Sequence, residues 1–143
     1  MPDLNQRCKR AFAAAAAPHN KLDSVLITDR HDVMYLTSLR EGIWGLVLTE
    51  TQAIAITSLM FVDEVKERAP HCEPVLLTTI PKERPDPMEF IAQELKRREL
   101  RAVVVDPAGM SGKAYRTLTE QAVSLGLEFL PCNDVMDPIR ARK

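Results

Sequence analysis

Ala102-Val103-Val104-Val105 sets four apolar residues in unbroken succession, three of them β-branched. A strand with one wet face alternates apolar and polar residues. A run without alternation marks a strand covered on both faces. Val25-Leu26-Ile27 has the same character. Two such strands call for helices on both sides of one sheet.

Working outward, Leu46-Val47-Leu48-Thr49 and Ile54-Ala55-Ile56-Thr57 read as two more strands, joined by Glu50-Thr51-Gln52. So short a link implies an antiparallel hairpin, although no Asn-Gly turn signal is present. Val75 to Ile80 reads as a fourth strand in chain order and Leu127 to Leu130 as the last. Helical signals fall between the strands. Residues 29–36 begin with turn-forming Asp29 and Asp32 and pass into a short helix. Ser58 is a candidate cap for a helix with Phe61, Val62, Val65 and Ala69 on one face, ended by Pro70. Asp86-Pro87-Met88-Glu89 is a helix start with cap, first-turn proline and capping-box glutamate. Met88, Ile91, Ala92 and Leu95 form its apolar stripe. Ser111 caps the next helix, with Tyr115, Leu118, Ala122 and Leu125 inward and Gly126 as its stop. The expected fold is α/β, a three-layer α/β/α sandwich on a mixed sheet of about six strands.

The chain has 143 residues, 19 Lys+Arg against 20 Asp+Glu, and a formal net charge of −1. It is read as one domain, residues 1–143, long enough to bury a core without disulfides or structural metal. The charge balance excludes a broad basic surface, so nucleic acid is not an expected partner. No apolar run approaches a membrane span, and no membrane partner is expected. Arg7, Lys9 and Arg10 precede Ala11-Phe12-Ala13-Ala14-Ala15-Ala16-Ala17, which superficially resembles a secretory leader. The run is mostly alanine, weakly hydrophobic and strongly helix-forming, and Asp3 does not suit a basic leader. It reads as an N-terminal helix stopped by Pro18. Cys8, Cys72 and Cys132 are odd in number and widely spaced, which fits buried thiols in a reducing cytoplasm.

Catalytic signals are sparse. His19, His31 and His71 show no metal-ligand spacing, and no metal site is expected from this chain. Gly109-Met110-Ser111-Gly112-Lys113 follows a strand and opens a helix. Pro107 stands where a phosphate-binding loop needs its first glycine, and Ala114 where it needs Ser or Thr. Asp106 ends a central strand, but the sequence pattern marks no carboxylate or nucleophile as its catalytic companion, and capping the turn before Pro107 is its expected role. Lys96-Arg97-Arg98 fits a solvated helix end that complements the helix dipole. The expected catalytic set within these residues is empty.

Several stretches in order resemble the amino-terminal domain of the creatinase/prolidase/aminopeptidase P family. Lys21-Leu22-Asp23-Ser24-Val25-Leu26-Ile27-Thr28 resembles its opening strand. Asp32-Val33-Met34-Tyr35-Leu36-Thr37 resembles its asparagine-isoleucine-x-tyrosine-leucine-threonine signature, with Asp32 in place of asparagine. The hairpin, residues 103–111 and Tyr115-x-x-Leu118 follow in register. Ile139-Arg140-Ala141-Arg142-Lys143 resembles the passage into the family's catalytic domain. Ser58-Leu59-Met60-Phe61 departs from a common Asp-x-Arg-Tyr, and Ser38-Leu39 from Gly-Phe.

The resemblance implies the non-catalytic amino-terminal domain of an Xaa-Pro peptidase or creatinase-like hydrolase. The catalytic "pita-bread" domain would follow Lys143. In peptidase members it would carry two divalent metals (Mn, Co or Zn); no cofactor is implied for residues 1–143. The partners implied are that domain and further copies in a homo-oligomer. The domain's implied work is oligomer support and shaping of the substrate entrance. Creatinase-like members place an arginine before the second strand on the substrate carboxylate, and the matching segment is Leu39-Arg40-Glu41-Gly42-Ile43-Trp44-Gly45. Arg40 is therefore a candidate anion clamp or a solvated loop residue. Trp44 is a candidate pocket wall or a residue packed on the sheet edge. The alternative function is a stand-alone protein-interaction or small-ligand-binding module without enzymatic activity.

Overall fold

The computed structural model describes residues 3–17, 22–77, 86–106 and 109–131. In chain order its elements are α1 (Leu4–Ala16), β1 (Ser24–Ile27), α2 (Arg30–Thr37), β2 (Ile43–Leu48), β3 (Ala53–Thr57), α3 (Val62–Arg68), β4 (Cys72–Leu76), α4 (Pro87–Arg97), β5 (Ala102–Val105), α5 (Gly112–Leu125) and β6 (Glu128–Pro131). The strands form one sheet in the order β4-β3-β2-β1-β5-β6. The two unbroken apolar runs are neighbours at its middle: β1 and β5 pair in parallel, with Val25 opposite Val104. Only β2 runs against the others, antiparallel to both β1 and β3. The mixed α/β/α sandwich is as the sequence predicts.

Alternate residues of each strand feed two cores. Val25, Ile27, Leu46, Leu48 and Val104 pack with α1, α2 and α3. Leu26, Val47, Ile54, Ile56, Val103 and Val105 pack with α4 and α5. Strands buried on both faces have no wet side on which to alternate, hence their continuous apolar sequence. Ala53 and Ala55, together with Val65 and Ala69 of the α3 segment, belong to the first core. Their small side chains allow that short helix to lie close to the sheet.

The helix starts are set by side-chain caps. Asp29 accepts from the amides of His31 and Asp32 at 2.9 and 3.1 Å. Asp86 accepts from the Met88 amide at 2.8 Å, and Ser111 from that of Ala114 at 3.0 Å. Each satisfies an amide that has no partner inside its own helix. Met88, Ile91, Ala92 and Leu95 are buried as the α4 stripe requires.

Three boundaries differ from the sequence reading. Helix α3 starts at Val62, with Phe61 at the cap position and no side-chain cap bond. Ser58 instead closes a turn, its carbonyl accepting from the Phe61 amide at 3.0 Å. Strand β4 begins at Cys72, not Val75, because parallel pairing with β3 holds Cys72 opposite Ala53. Glu73 and Pro74 hide it in the sequence, and Pro74 is tolerated because β4 is an edge strand. Strand β2 begins at Ile43, three residues before the apolar run. Residues 78–80 of the expected fourth strand, and the helix stop at Pro18, lie outside the described residues.

Candidate functional site

The segment from α2 into β2 carries Arg40 and Trp44, and its shape follows from local chemistry. Thr37 ends α2 fully buried. Its hydroxyl donates to the Val33 carbonyl at 2.7 Å and accepts from the Leu39 amide at 3.1 Å. Ser38 then adopts a left-handed conformation (φ 66°), and Leu39 drops into the core. Upstream, the Arg7 guanidinium donates to the Tyr35 carbonyl at 2.8 Å and lies 4.2 Å from the Tyr35 ring centroid. Tyr35-Leu36-Thr37 thus ties α1 to α2, fills the core and terminates the helix.

Arg40 and Glu41 are exposed beyond this anchor. Gly42 has φ +93°, and a Cβ there would lie 2.5 Å from Phe61 Cγ. Both the backbone angle and the space require glycine. The Gly42 carbonyl accepts from the Thr57 hydroxyl at 2.5 Å. Next, Ile43 pairs with Thr57 and Gly45 with Ile56, so Trp44 is an extra residue in a β-bulge. A bulge re-aims the side chain it carries. Trp44 is 49% exposed although it stands in a strand.

These residues enclose an open cleft of about 360 Å³, lined in part by Arg30, Val33, Arg40, Gly42, Trp44 and Phe61. It lies where the parallel strands end and β2 begins, the end at which open α/β sheets place ligand sites. Arg40 and Trp44, singled out by resemblance, therefore share one cleft. Arg30 and Phe61 were not singled out. They come from the start of α2 and the β3–α3 turn, and only the folded sheet brings them together. The side chains of Arg30 and Arg40 have no ion-pair or hydrogen-bond partner among the described residues. Two guanidiniums beside two aromatic rings offer an anion-binding edge and apolar walls.

Other sequence features have structural roles. The Gly109 carbonyl accepts from the Thr28 hydroxyl at 3.1 Å, and a Cβ on Gly109 would lie 3.3 Å from Asp29 Cβ. That loop packs on the capped start of α2. The void beside it is about 10 Å³ and is lined by Asp29, Asp32 and Asp106, whose charge opposes phosphate. Two of the basic trio meet carboxylates: Arg97 binds Glu94 through two bonds at 2.8 and 2.9 Å, and Arg98 reaches Glu94 at 2.9 Å and Glu73 at 2.5 Å. Hydrogen bonding from Arg97, with Arg98, lowers the Glu94 pKa. His71 Nε2 lies 2.9 Å from the Leu36 carbonyl. A carbonyl only accepts, so Nε2 carries the proton. Cys8 and Cys72 are free and buried, and burial pushes each thiol up to about 12. Among the described residues no three His, Cys, Asp or Glu side chains cluster as metal ligands. No helix among them is long and apolar enough to cross a membrane. His19 and Cys132 lie outside the described residues.

Solved structures share this fold. An Xaa-Pro dipeptidase from Bacillus anthracis aligns with a TM-score of 0.73 and 18% identity, over 96% of this chain and 35% of that one. An aminopeptidase P from Streptococcus thermophilus aligns with a TM-score of 0.72 and 21% identity, over 96% and 99%. The N-terminal domain of the cytoplasmic peptidase PepQ from Mycobacterium tuberculosis aligns with a TM-score of 0.72 and 17% identity, over 96% and 98%. The chain thus spans about a third of the full-length dipeptidase. No curated protein matches it by sequence. The family model described as the creatinase/prolidase N-terminal domain matches residues 7–142. By that match over nearly its whole length, the chain belongs to the creatinase/prolidase N-terminal domain family.

Proposed function

We propose that residues 1–143 are the non-catalytic amino-terminal domain of a cytoplasmic Xaa-Pro peptidase or creatinase-like hydrolase, followed by the catalytic domain. In that reading the cleft at Arg40 and Trp44 forms part of the substrate entrance. The observation that carries it is the convergence of Arg40 and Trp44 on one open cleft, with the Arg40 side chain unpaired among the described residues. The guanidinium would hold a substrate carboxylate, and Trp44 would shield the adjoining apolar part.

The chemistry belongs to the domain that follows. That following domain would hold the two metals of a peptidase, and the part of this domain is to orient substrate and admit it. Leu59 and Met60 are 78% and 83% exposed at the turn beside Phe61, where the family often carries Asp and Arg. Such exposure supports a face covered in the complete assembly, by the following domain or by another copy in a homo-oligomer.

The test is Arg40→Ala in the longer protein. Loss of a charge-assisted bond to substrate costs on the order of tenfold to a hundredfold in KM, with kcat nearly unchanged. An unchanged KM contradicts the assignment of Arg40 to the entrance.

A further inference from the structure

The turn that presents Arg40 and Trp44 is held from outside by β3 and the residues just after it. Thr57, the last residue of β3, is fully buried, and its hydroxyl donates to the Gly42 carbonyl at 2.5 Å. Four residues later the Phe61 side chain fills the space at Gly42, with its ring atoms Cγ and Cδ1 2.5 and 2.7 Å from where a Cβ would stand. Between these two contacts Gly42 keeps its left-handed backbone, and the chain enters β2 with Trp44 as the bulged residue. Glycine is the most permissive residue for φ and ψ, so its own preferences do not select this conformation. The selection comes from a hydrogen bond on one side and a ring on the other. The same Phe61 also lines the cleft.

We propose that Thr57 and Phe61 are positioning residues for the cleft. They act through Gly42 to hold the Arg40–Trp44 turn so that both side chains border the same space. This rests on the entrance reading for its use, but not for its geometry. Thr57 touches no ligand in this account. Its hydroxyl spends its proton on the Gly42 carbonyl, and a hydrophobic isostere leaves that carbonyl unmet and the turn free to move.

Trp44 is the only tryptophan of the chain, so fluorescence excited selectively at tryptophan, beyond tyrosine absorption, reports on this turn. The experiment compares acrylamide quenching and emission anisotropy of Trp44 in the wild-type chain, Thr57→Val and Thr57→Ser. Far-UV circular dichroism confirms the fold of each. Trp44 is 49% exposed, so release of the turn is expected to raise its quenching constant by up to about twofold and to lower its anisotropy. Thr57→Ser, which keeps the hydroxyl, is expected to match wild type. Phe61→Leu, at a partly exposed site, supplies the second variant should Thr57→Val fail to fold, and is expected to move the same signals in the same direction. Wild-type signals in a folded Thr57→Val or Phe61→Leu overturn the proposal. In the longer protein, Thr57→Val is expected to raise KM with kcat retained. A changed Trp44 signal with unchanged KM upholds the positioning role and overturns the entrance reading. An unchanged signal overturns the positioning role whatever KM does.

Discussion

Ile91 of α4 rests directly on the backbone of Gly45 in β2: a Cβ there would stand 2.9 Å from Ile91 Cδ1 and 3.2 Å from Leu26 Cδ1. Gly45 follows the bulged Trp44 and pairs with Ile56. The missing side chain is what allows α4 to seat its buried stripe on the sheet at the base of the cleft turn.

Gly45→Ala is therefore expected to lower stability by about 1–3 kcal/mol through overpacking. Ile91→Val should lower it by about 1 kcal/mol through a lost methylene. The pair in one chain should cost less than the sum, because the smaller side chain makes room for the new methyl. Denaturant titration of the four proteins checks this, and strict additivity contradicts the contact.

Glu94 couples α4 to β4 through Arg98, which also reaches Glu73. The Arg97 and Arg98 hydrogen bonds lower its pKa below 4.5. A carboxylate with a depressed folded pKa contributes stability above its unfolded value. That contribution is lost as pH falls through the folded value. Glu94→Gln is expected to cost about 1 kcal/mol at pH 7 and to converge on wild type as pH falls through the lowered folded pKa of Glu94. Arg97, on the outer side, should matter less than Arg98. Thermal melts across that pH range read both effects.

The buried thiols set an alkaline limit. Cys8 and Cys72 are raised from 9.0 to about 12, by burial and, for Cys72, also by Cys8. A raised folded pKa stabilises below the unfolded value, and the contribution is lost as pH rises through the window from 9 to 12. Stability should fall above pH 9, by roughly 1 kcal/mol per pH unit for each thiol. At pH 8 iodoacetamide should alkylate both at least about a hundredfold more slowly than in the unfolded chain. Peptide mass mapping assigns the modified residues, and rapid native labelling of either thiol contradicts its burial.

The fold was largely legible in local signals. Asp29, Asp86 and Ser111 each stand before a helix and cap it, and the unbroken apolar runs at β1 and β5 are buried on both faces. Asp23 shows a motif residue acquiring a physical reason: its carboxylate accepts from the Arg101 and Ala102 amides at 2.8 and 2.9 Å, pinning the start of β5 beside β1. The cleft was half legible. Resemblance pointed to Arg40 and Trp44, but the apolar pattern begins only at Leu46, so it does not show the bulge that exposes Trp44. Arg30 and Phe61 reach the cleft from distant segments, and no spacing in the chain encodes that meeting.

A matched assay of the 143-residue chain and its longest parent reading frame tests the account most directly. Both receive Xaa-Pro dipeptides and longer Xaa-Pro peptides with added Mn²⁺, and creatine without it. The account predicts turnover only in the longer protein, with a KM that rises when Arg40 is replaced by alanine. Turnover by the 143-residue chain itself would contradict it, and so would a parent frame that adds no hydrolase domain.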